Sequence, residues 1–405
     1  MTTLVLHELH HAHGAAFLAV NGAEAVADHG DAAAELAALR GTVGVLDLSH
    51  RSRLCVLGAD RVKFLHGQVT NDVQRLRIGE GCYAALVNAK GRMVSDLDIY
   101  RLADELLLDF EPGYTAAVME RLEKHIITED VQLIDAAPHY GLLSVQGPRA
   151  AEAIAQLALP WELPAMPLAF CALQDSTLGM LYLIRRADPS PTGRDSVEPQ
   201  LKRSEASAAS ISVKSTPSQE SCSARASSVG KWGSTESQAS SRQSPSGFDL
   251  FIPTASLGVV FDKLLAAAKS LGGRACGWHA LETARIAAGI PRFGQDMDEA
   301  SLPPEGGIES RAISYNKGCY IGQEVIARIR TYGQVAKSLR QLRLPAGLAA
   351  LPAKGDKLLA GDKEVGHLTS VIPGHALGYV RKEHNAPGMV LTLLTAAGAC
   401  DVTVI

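Results

Sequence analysis

Lys317-Gly318-Cys319-Tyr320-Ile321-Gly322-Gln323-Glu324 gathers a thiol, a cation, an aromatic ring, an amide and a carboxylate around two glycines. It stands directly ahead of Val325, Ile326 and Ile329, whose spacing suits one buried face of a short helix. The glycines permit a tight path and let another group approach the main chain. Cys319 would then precede a helix N-terminus, where unpaired N–H groups favour an anion, with Lys317 beside it and Arg328 following on the helix. Such surroundings lower a thiol pKa and make a reactive thiolate. The competing reading makes Cys319 a small buried apolar residue and leaves Gly318 and Gly322 to shape a turn.

The elements that must position this segment follow an α+β pattern rather than a regular βαβ array. An Ala-rich helix is expected over 31–40, closed by Gly41 and Gly44, then a strand over 54–57 and an amphipathic helix over 61–69 that leads to Thr70-Asn71-Asp72. Strands over 83–87 and 96–100 flank Asn88-Ala89-Lys90-Gly91, a hairpin-type loop. A strand over 106–110 and a helix over 115–125 complete the unit. Further on, strands over 178–185 and 248–252 and helices over 257–270 and 277–288 are expected. From Lys337 onward short apolar runs alternate with turns, the pattern of a small β-barrel or sandwich.

Between the strands 178–185 and 248–252 the composition changes: residues 189–246 are rich in Ser, with Pro, Gln, Lys and Glu and almost no apolar periodicity. They read as a disordered insertion in a hairpin turn, tolerable because closure entropy grows only logarithmically, at a cost of about 1 to 2 kcal/mol. His7, His10, His11 and His13 stand at helical spacing, but only Glu8 accompanies them, so they read as a polar lead-in helix or frayed tail and not as a metal site.

The 405 residues, 46% hydrophobic and 20% charged, suffice for two or three compact cores. A net charge of −4 argues against a broad basic surface for nucleic acid, so the expected partner is small. Seven scattered cysteines without a C-x-x-C pair indicate neither a disulfide framework nor a zinc ribbon. With no secretory signal at the start and no apolar run of about 18 residues, the expected compartment is the cytoplasm, with no membrane contact.

Gly44-Val45-Leu46-Asp47-Leu48-Ser49-His50, Phe64-Leu65 with Thr70-Asn71-Asp72, Gln146-Gly147-Pro148, Gly247-Phe248-Asp249, Leu281-Glu282 with Arg285, and Gly289-Ile290-Pro291-Arg292-Phe293-Gly294 together resemble the glycine-cleavage T-protein (GcvT) superfamily. The resemblance runs from about Ala15 to the C-terminus, excluding the insertion. Within it, the segment Lys317–Glu324 is similar to the signature of the YgfZ branch, folate-binding proteins that support iron–sulfur enzymes.

That resemblance implies a three-domain ring around a central tetrahydrofolate channel: 15–140, 141–331 interrupted by 189–246, and a C-terminal barrel over 335–405. A pterin edge matches a carboxylate or Asn, and an anionic glutamyl tail calls for Arg or Lys. The candidates are Asp96 and Asn88 for the edge, Tyr83 as a stacking face, and Arg285 and Arg292 for the tail. Each has a plainer reading: Asp96 and Asp98 as solvent-facing strand positions, Tyr83 as core, and the arginines as cations at a helix end.

Aminomethyltransferases of the superfamily carry adjacent acidic residues after the glycine turn, the first one catalytic, where this chain has Ser95-Asp96. The implied function is therefore a tetrahydrofolate-binding factor for iron–sulfur cluster assembly or repair, acting with assembly proteins or cluster-dependent enzymes such as tRNA-modifying ones. Aminomethyl transfer, with Asp96 taking the acidic role, is the alternative. In the first reading Cys319 acts as thiolate or transient ligand, Lys317 and Arg328 hold its charge, and Gln323 and Glu324 order the loop. Gly318, Tyr320 and Gly322 complete the motif, and the thiol must be reachable from the folate cavity.

Overall fold

The computed structural model describes residues 2–186, 247–333, 335–348 and 350–405. The expected insertion over 189–246 lies outside the described residues, as does Cys222.

Two antiparallel sheets face each other. The first runs Gly81–Val87, Met93–Arg101, Leu106–Phe110, Ser52–Leu57, Gln132–Asp135. The second runs Phe170–Asp175, Gly179–Arg185, Gly247–Pro253, Tyr140–Gln146, Gly44–Asp47, with Arg274–Ala275 added in parallel at the edge. Period-two alternation decides which side chains meet in the middle. On Met93–Arg101 the positions Met93, Ser95, Leu97 and Ile99 are fully buried, while Asp96 and Asp98 between them are only partly so.

The outer face of the first sheet packs on the helices Arg61–Gln68 and Thr115–Glu123 through Phe64, Leu65, Val118 and Leu122. The outer face of the second packs on Ala150–Ala155 and Leu257–Ser270. Between the sheets, Cys55, Tyr100 and Leu107 meet Leu142, Ile184 and Phe251. The result is a helix–sheet–sheet–helix stack whose interior seam joins two separate hydrophobic faces.

Gly44–Asp47 lies within residues 15–140 but pairs with Tyr140–Gln146 in the second sheet, so the chain visits that sheet before building the first. The histidine-rich start is a helix, His7–Ala12, and not a frayed tail: His10 is fully buried and its Nε2 lies 2.9 Å from Asp47 Oδ2.

Six strands from Lys337–Arg343 to Gly398–Val404 close the C-terminal barrel. It rests on the helix Trp278–Ala287 through Ile286, Leu339, Ile372 and Leu377, and Gln341 Nε2 donates to the helix-end carbonyl of Ala287 at 2.8 Å. The barrel also reaches the segment that packs on the first sheet, since Leu339 N donates to Glu305 O. No helix among the described residues is long and apolar enough to cross a membrane.

Candidate functional site

The seam between the sheets opens into a cavity of about 210 Å³. The first sheet contributes Tyr83, Asp96, Asp98 and Asp109, the second Asp249, and the helix Trp278–Ala287 with its following turn supplies Glu282, Arg285 and Arg292. Charged side chains dominate, and most are committed to one another. Arg51 donates from Nε to Asp109 at 2.7 Å and from Nη1 to Glu111 at 2.9 Å. Arg186 Nη1 contacts both Asp249 oxygens at 2.9 Å. Arg292 Nη1 donates to Glu111 at 3.1 Å while its guanidinium lies 4.8 Å over the Trp278 ring.

Arg285 is fully engaged. Nε and Nη2 hold Glu282 at 2.8 Å each, Nη1 donates to Asp296 at 2.6 Å and to Ile290 O at 2.7 Å, and Nη2 donates to Ser370 at 3.0 Å. A guanidinium has five N–H donors, and all five are used. Arg285 touches the cavity wall but has no donor left for a ligand.

Tyr83 OH donates to Asp96 at 2.8 Å, and the Arg311 guanidinium lies 4.8 Å over the Tyr83 ring. Burial, then Glu111, raises the Asp96 pKa against the hydrogen bond from Tyr83. The Thr70-Asn71 pair sets this arrangement: Asn71 Nδ2 donates to the carbonyls of Tyr83 and Arg311 at 2.8 and 3.0 Å, tying the strand to the segment that carries Arg311.

Unused polar capacity in the cavity includes three side chains absent from the sequence-based site set, besides the unpartnered Oδ1 of Asp109. Asp98 makes no hydrogen bond or ion pair among the described residues; burial, then the neighbouring Asp109, push its pKa up to about 7, with Asp96 and Asp249 adding to this and Arg51 opposing. Both ring nitrogens of His50 are buried and unpartnered, and burial pushes the ring down to about 3, so it stays neutral with one donor and one acceptor to offer. Arg311 has no carboxylate partner among the described residues. The alternation of Asp96 with Asp98 was a usable signal for Asp98, because both must share a strand face. His50 sits inside a quoted motif without a role assigned to it, and nothing in the sequence marks Arg311.

Of the sequence-based contacts, Tyr83, Asp96, Arg285 and Arg292 line the cavity and Asn88 does not. Asn88 Oδ1 accepts from the N–H groups of Lys90 and Arg92 at 2.9 and 3.2 Å and so closes the hairpin turn.

The Cys319 segment docks on the back of that turn. Gly322 has φ +85°, and a Cβ there would stand 2.5 Å from Asn88 O and 2.9 Å from Val87 Cγ2. Gly322→Ala should therefore lower the unfolding free energy by about 2 to 3 kcal/mol, from left-handed strain plus backbone overlap; urea titration measures it, and an unchanged midpoint would refute the docking.

Cys319 is exposed, which removes the buried-apolar reading, and it is not among the cavity-lining residues, so the expected opening of the thiol onto that cavity is not found. Lys317 is buried, with its ammonium donating to the carbonyls of His66 and Val69 at 2.5 and 2.6 Å and lying 4.9 Å from the Tyr320 ring. These carbonyls close the helix Arg61–Gln68, where a cation meets the helix dipole. Desolvation lowers the Lys317 pKa to about 8. Arg328 and Glu324 form a surface pair at 2.6 Å rather than holding the thiol or the loop.

Residues 6–207 match the family described as the GCVT N-terminal domain, and residues 337–405 match the CAF17 C-terminal beta-barrel domain. An aminomethyltransferase of Mycobacterium avium (strain 104) is 27% identical over 369 residues, covering 90% of this chain and 83% of that relative. One from Corynebacterium jeikeium (strain K411) is 26% identical, covering 95% and 90%. The crystal structure of glycine cleavage system aminomethyltransferase T from Bartonella henselae superimposes with a TM-score of 0.77 at 20% sequence identity, over 100% of this chain and 96% of that one. The fold is thus GcvT-like, with mixed α and β content and a closed six-stranded C-terminal barrel.

Proposed function

From the premise that this chain belongs to the GcvT superfamily and joins a GCVT N-terminal domain to a CAF17-type barrel, we propose that its central cavity binds tetrahydrofolate or a derivative. The observation that carries this reading is the cavity's unused capacity. A half-buried carboxyl at Asp98, a neutral imidazole at His50, aromatic faces at Tyr83 and Trp278, and a guanidinium at Arg311 without an acidic partner among the described residues suit a flat heterocycle with a donor edge and an anionic tail. The volume is on the scale of a small ring system. Asp98 and His50 would face the ring edges, and Arg311 and Arg292 the tail. Bound folate would supply a one-carbon carrier.

The finer reading is a factor that supports iron–sulfur cluster assembly or repair. Its supports are the CAF17-type barrel, the similarity of the Lys317–Glu324 segment to the YgfZ signature, and the exposure of Cys319. A thiol on the surface suits contact with a partner protein or its cluster. A single thiolate does not hold a cluster alone, so the contact is shared or transient.

Aminomethyl transfer is the second reading, favoured by one observation. Of the pair Ser95-Asp96 it is Asp96 that faces the cavity, whereas Ser95 is fully buried on the opposite strand face. Serine at 95 therefore removes no charge from the cavity.

Equilibrium titration of the full chain with tetrahydrofolate tests the binding reading, which no saturable binding would sink. Cys319→Ser should leave that affinity within about twofold and lower the activity of a cluster-dependent enzyme in cells. Full activity in the variant removes the cluster role, and turnover of an aminomethyl-lipoyl carrier by the wild type establishes the transferase.

A further inference from the structure

We propose that a second cavity, at the far end of the seam between the sheets, binds a small aromatic amine through Glu105. This cavity measures about 220 Å³ and is walled by Leu57, Leu107 and Ile134 from the first sheet and by Tyr140, Tyr182 and Phe251 from the second. It is distinct from the central cavity, and the two share no lining residue. The Tyr100 ring of the central cavity meets the Phe251 ring of the second at 5.8 Å, inclined by 73°, so one aromatic contact stands between them.

The polar groups decide the ligand. Among the described residues of this lining Glu105 is the only carboxylate, His139 adds an imidazole at the exposed rim, and neither Lys nor Arg is present. The group that interacts with the Glu105 side chain is the Cys55 thiol, a weak donor. That thiol stays protonated, since burial, then Glu105, push it up to about 12, so it adds no second negative charge. The hydroxyls of Tyr140 and Tyr182 make no hydrogen bond among the described residues.

A carboxylate among three aromatic rings is the chemistry of ammonium recognition: charge-assisted hydrogen bonds to the carboxylate, and attraction of the cation by the ring faces. Apolar walls accept the ligand's own ring, and a cavity of this volume takes a substituted benzene. An anion would face Glu105 with neither Lys nor Arg to compensate it. A plain hydrocarbon would leave the carboxylate without a strong donor.

The test is calorimetric titration and saturation-transfer NMR of the full chain with phenethylamine, ethylbenzene and phenylacetate. Phenethylamine should bind most tightly and phenylacetate least. Glu105→Gln should weaken phenethylamine at least about tenfold, and Asp98→Asn, in the central cavity, should leave it unchanged. On wild-type protein, nuclear Overhauser contacts from the phenethylamine ring to the Leu107 and Ile134 methyls give the position without relying on any variant. Equal binding of the three probes, no saturable binding at millimolar concentration, or loss in Asp98→Asn but not in Glu105→Gln would each overturn the assignment. None of these results depends on whether folate binds.

Discussion

Arg285→Ala is expected to lower the unfolding free energy by about 3 to 5 kcal/mol, the cost of leaving a buried charge without its partner. Asp296 is 3% exposed and accepts from Arg285 at 2.6 Å and from Ser370 at 2.7 Å, while Gln295 and Lys354 link the same stretch to the barrel. Removing the guanidinium takes from Asp296 its cation, leaving it only the N–H of Arg292 and the hydroxyls of Thr369 and Ser370. It leaves Glu282 with Arg292 alone, at 3.3 Å, and loosens the barrel from the helix Trp278–Ala287. Arg285→Lys should recover only part of the loss, because an ammonium cannot reproduce the planar fork. Urea unfolding followed by tryptophan fluorescence measures both variants. A variant of normal stability with a specific loss of folate affinity would return Arg285 to the role of ligand contact that its sequence position suggested.

Asp98→Asn is expected to change the pH dependence of stability. The carboxyl has an ordinary pKa of 3.8 and is pushed up to about 7 in the fold. Between those values the native state holds a proton that the unfolded chain has released, so stability falls as pH rises from about 4 to about 7 and stays low above. At about 1.4 kcal/mol for each pH decade, the loss is on the order of 4 kcal/mol. Asparagine has the same shape without the charge, so the variant should be flatter over that interval and more stable than wild type at pH 8. Burial is the first cause of the shift, and charges from three elements add to it: Asp109 across the strand pair, Asp96 on its own strand, and Asp249 from the second sheet, with Arg51 opposing them. Parallel melting curves for the two proteins from pH 4 to 8 would sink this account. The same variant should weaken tetrahydrofolate binding, as expected of a stability penalty located at a ligand site.

Local pattern gave most of the elements. The helices over 257–270 and 278–287 and the strand over 106–110 follow from periodicity and flanking breakers, and Asp31 caps its helix by accepting from Ala34 N. Chemistry within one segment was also legible, as in the glycine at 322, which the close approach of Asn88 O requires. What could not be read was juxtaposition. Whether Asp98 faces water or a cavity depends on a second sheet assembled from strands as far along the chain as Gly247–Pro253 and Arg274–Ala275, and the motif gave no sign that Lys317 turns inward to helix-end carbonyls while Cys319 turns outward. Arg285 looked like a ligand contact because its partners, Asp296 and Ser370, lie on later elements that local sequence does not connect to it.

The early strand Gly44–Asp47 has a consequence for biogenesis. All five strands of the first sheet lie between residues 52 and 135, so that sheet has every partner once this stretch has left the ribosome. Gly44–Asp47, synthesised earlier still, must wait for Tyr140–Gln146, and the edge pair Arg274–Ala275 comes later again. Long-range pairing of this kind is slow and leaves apolar surface uncovered in the meantime. Cutting the chain at residue 140 would strand a β-segment on the wrong fragment, so the two halves should be soluble only when produced as one polypeptide or reunited during refolding.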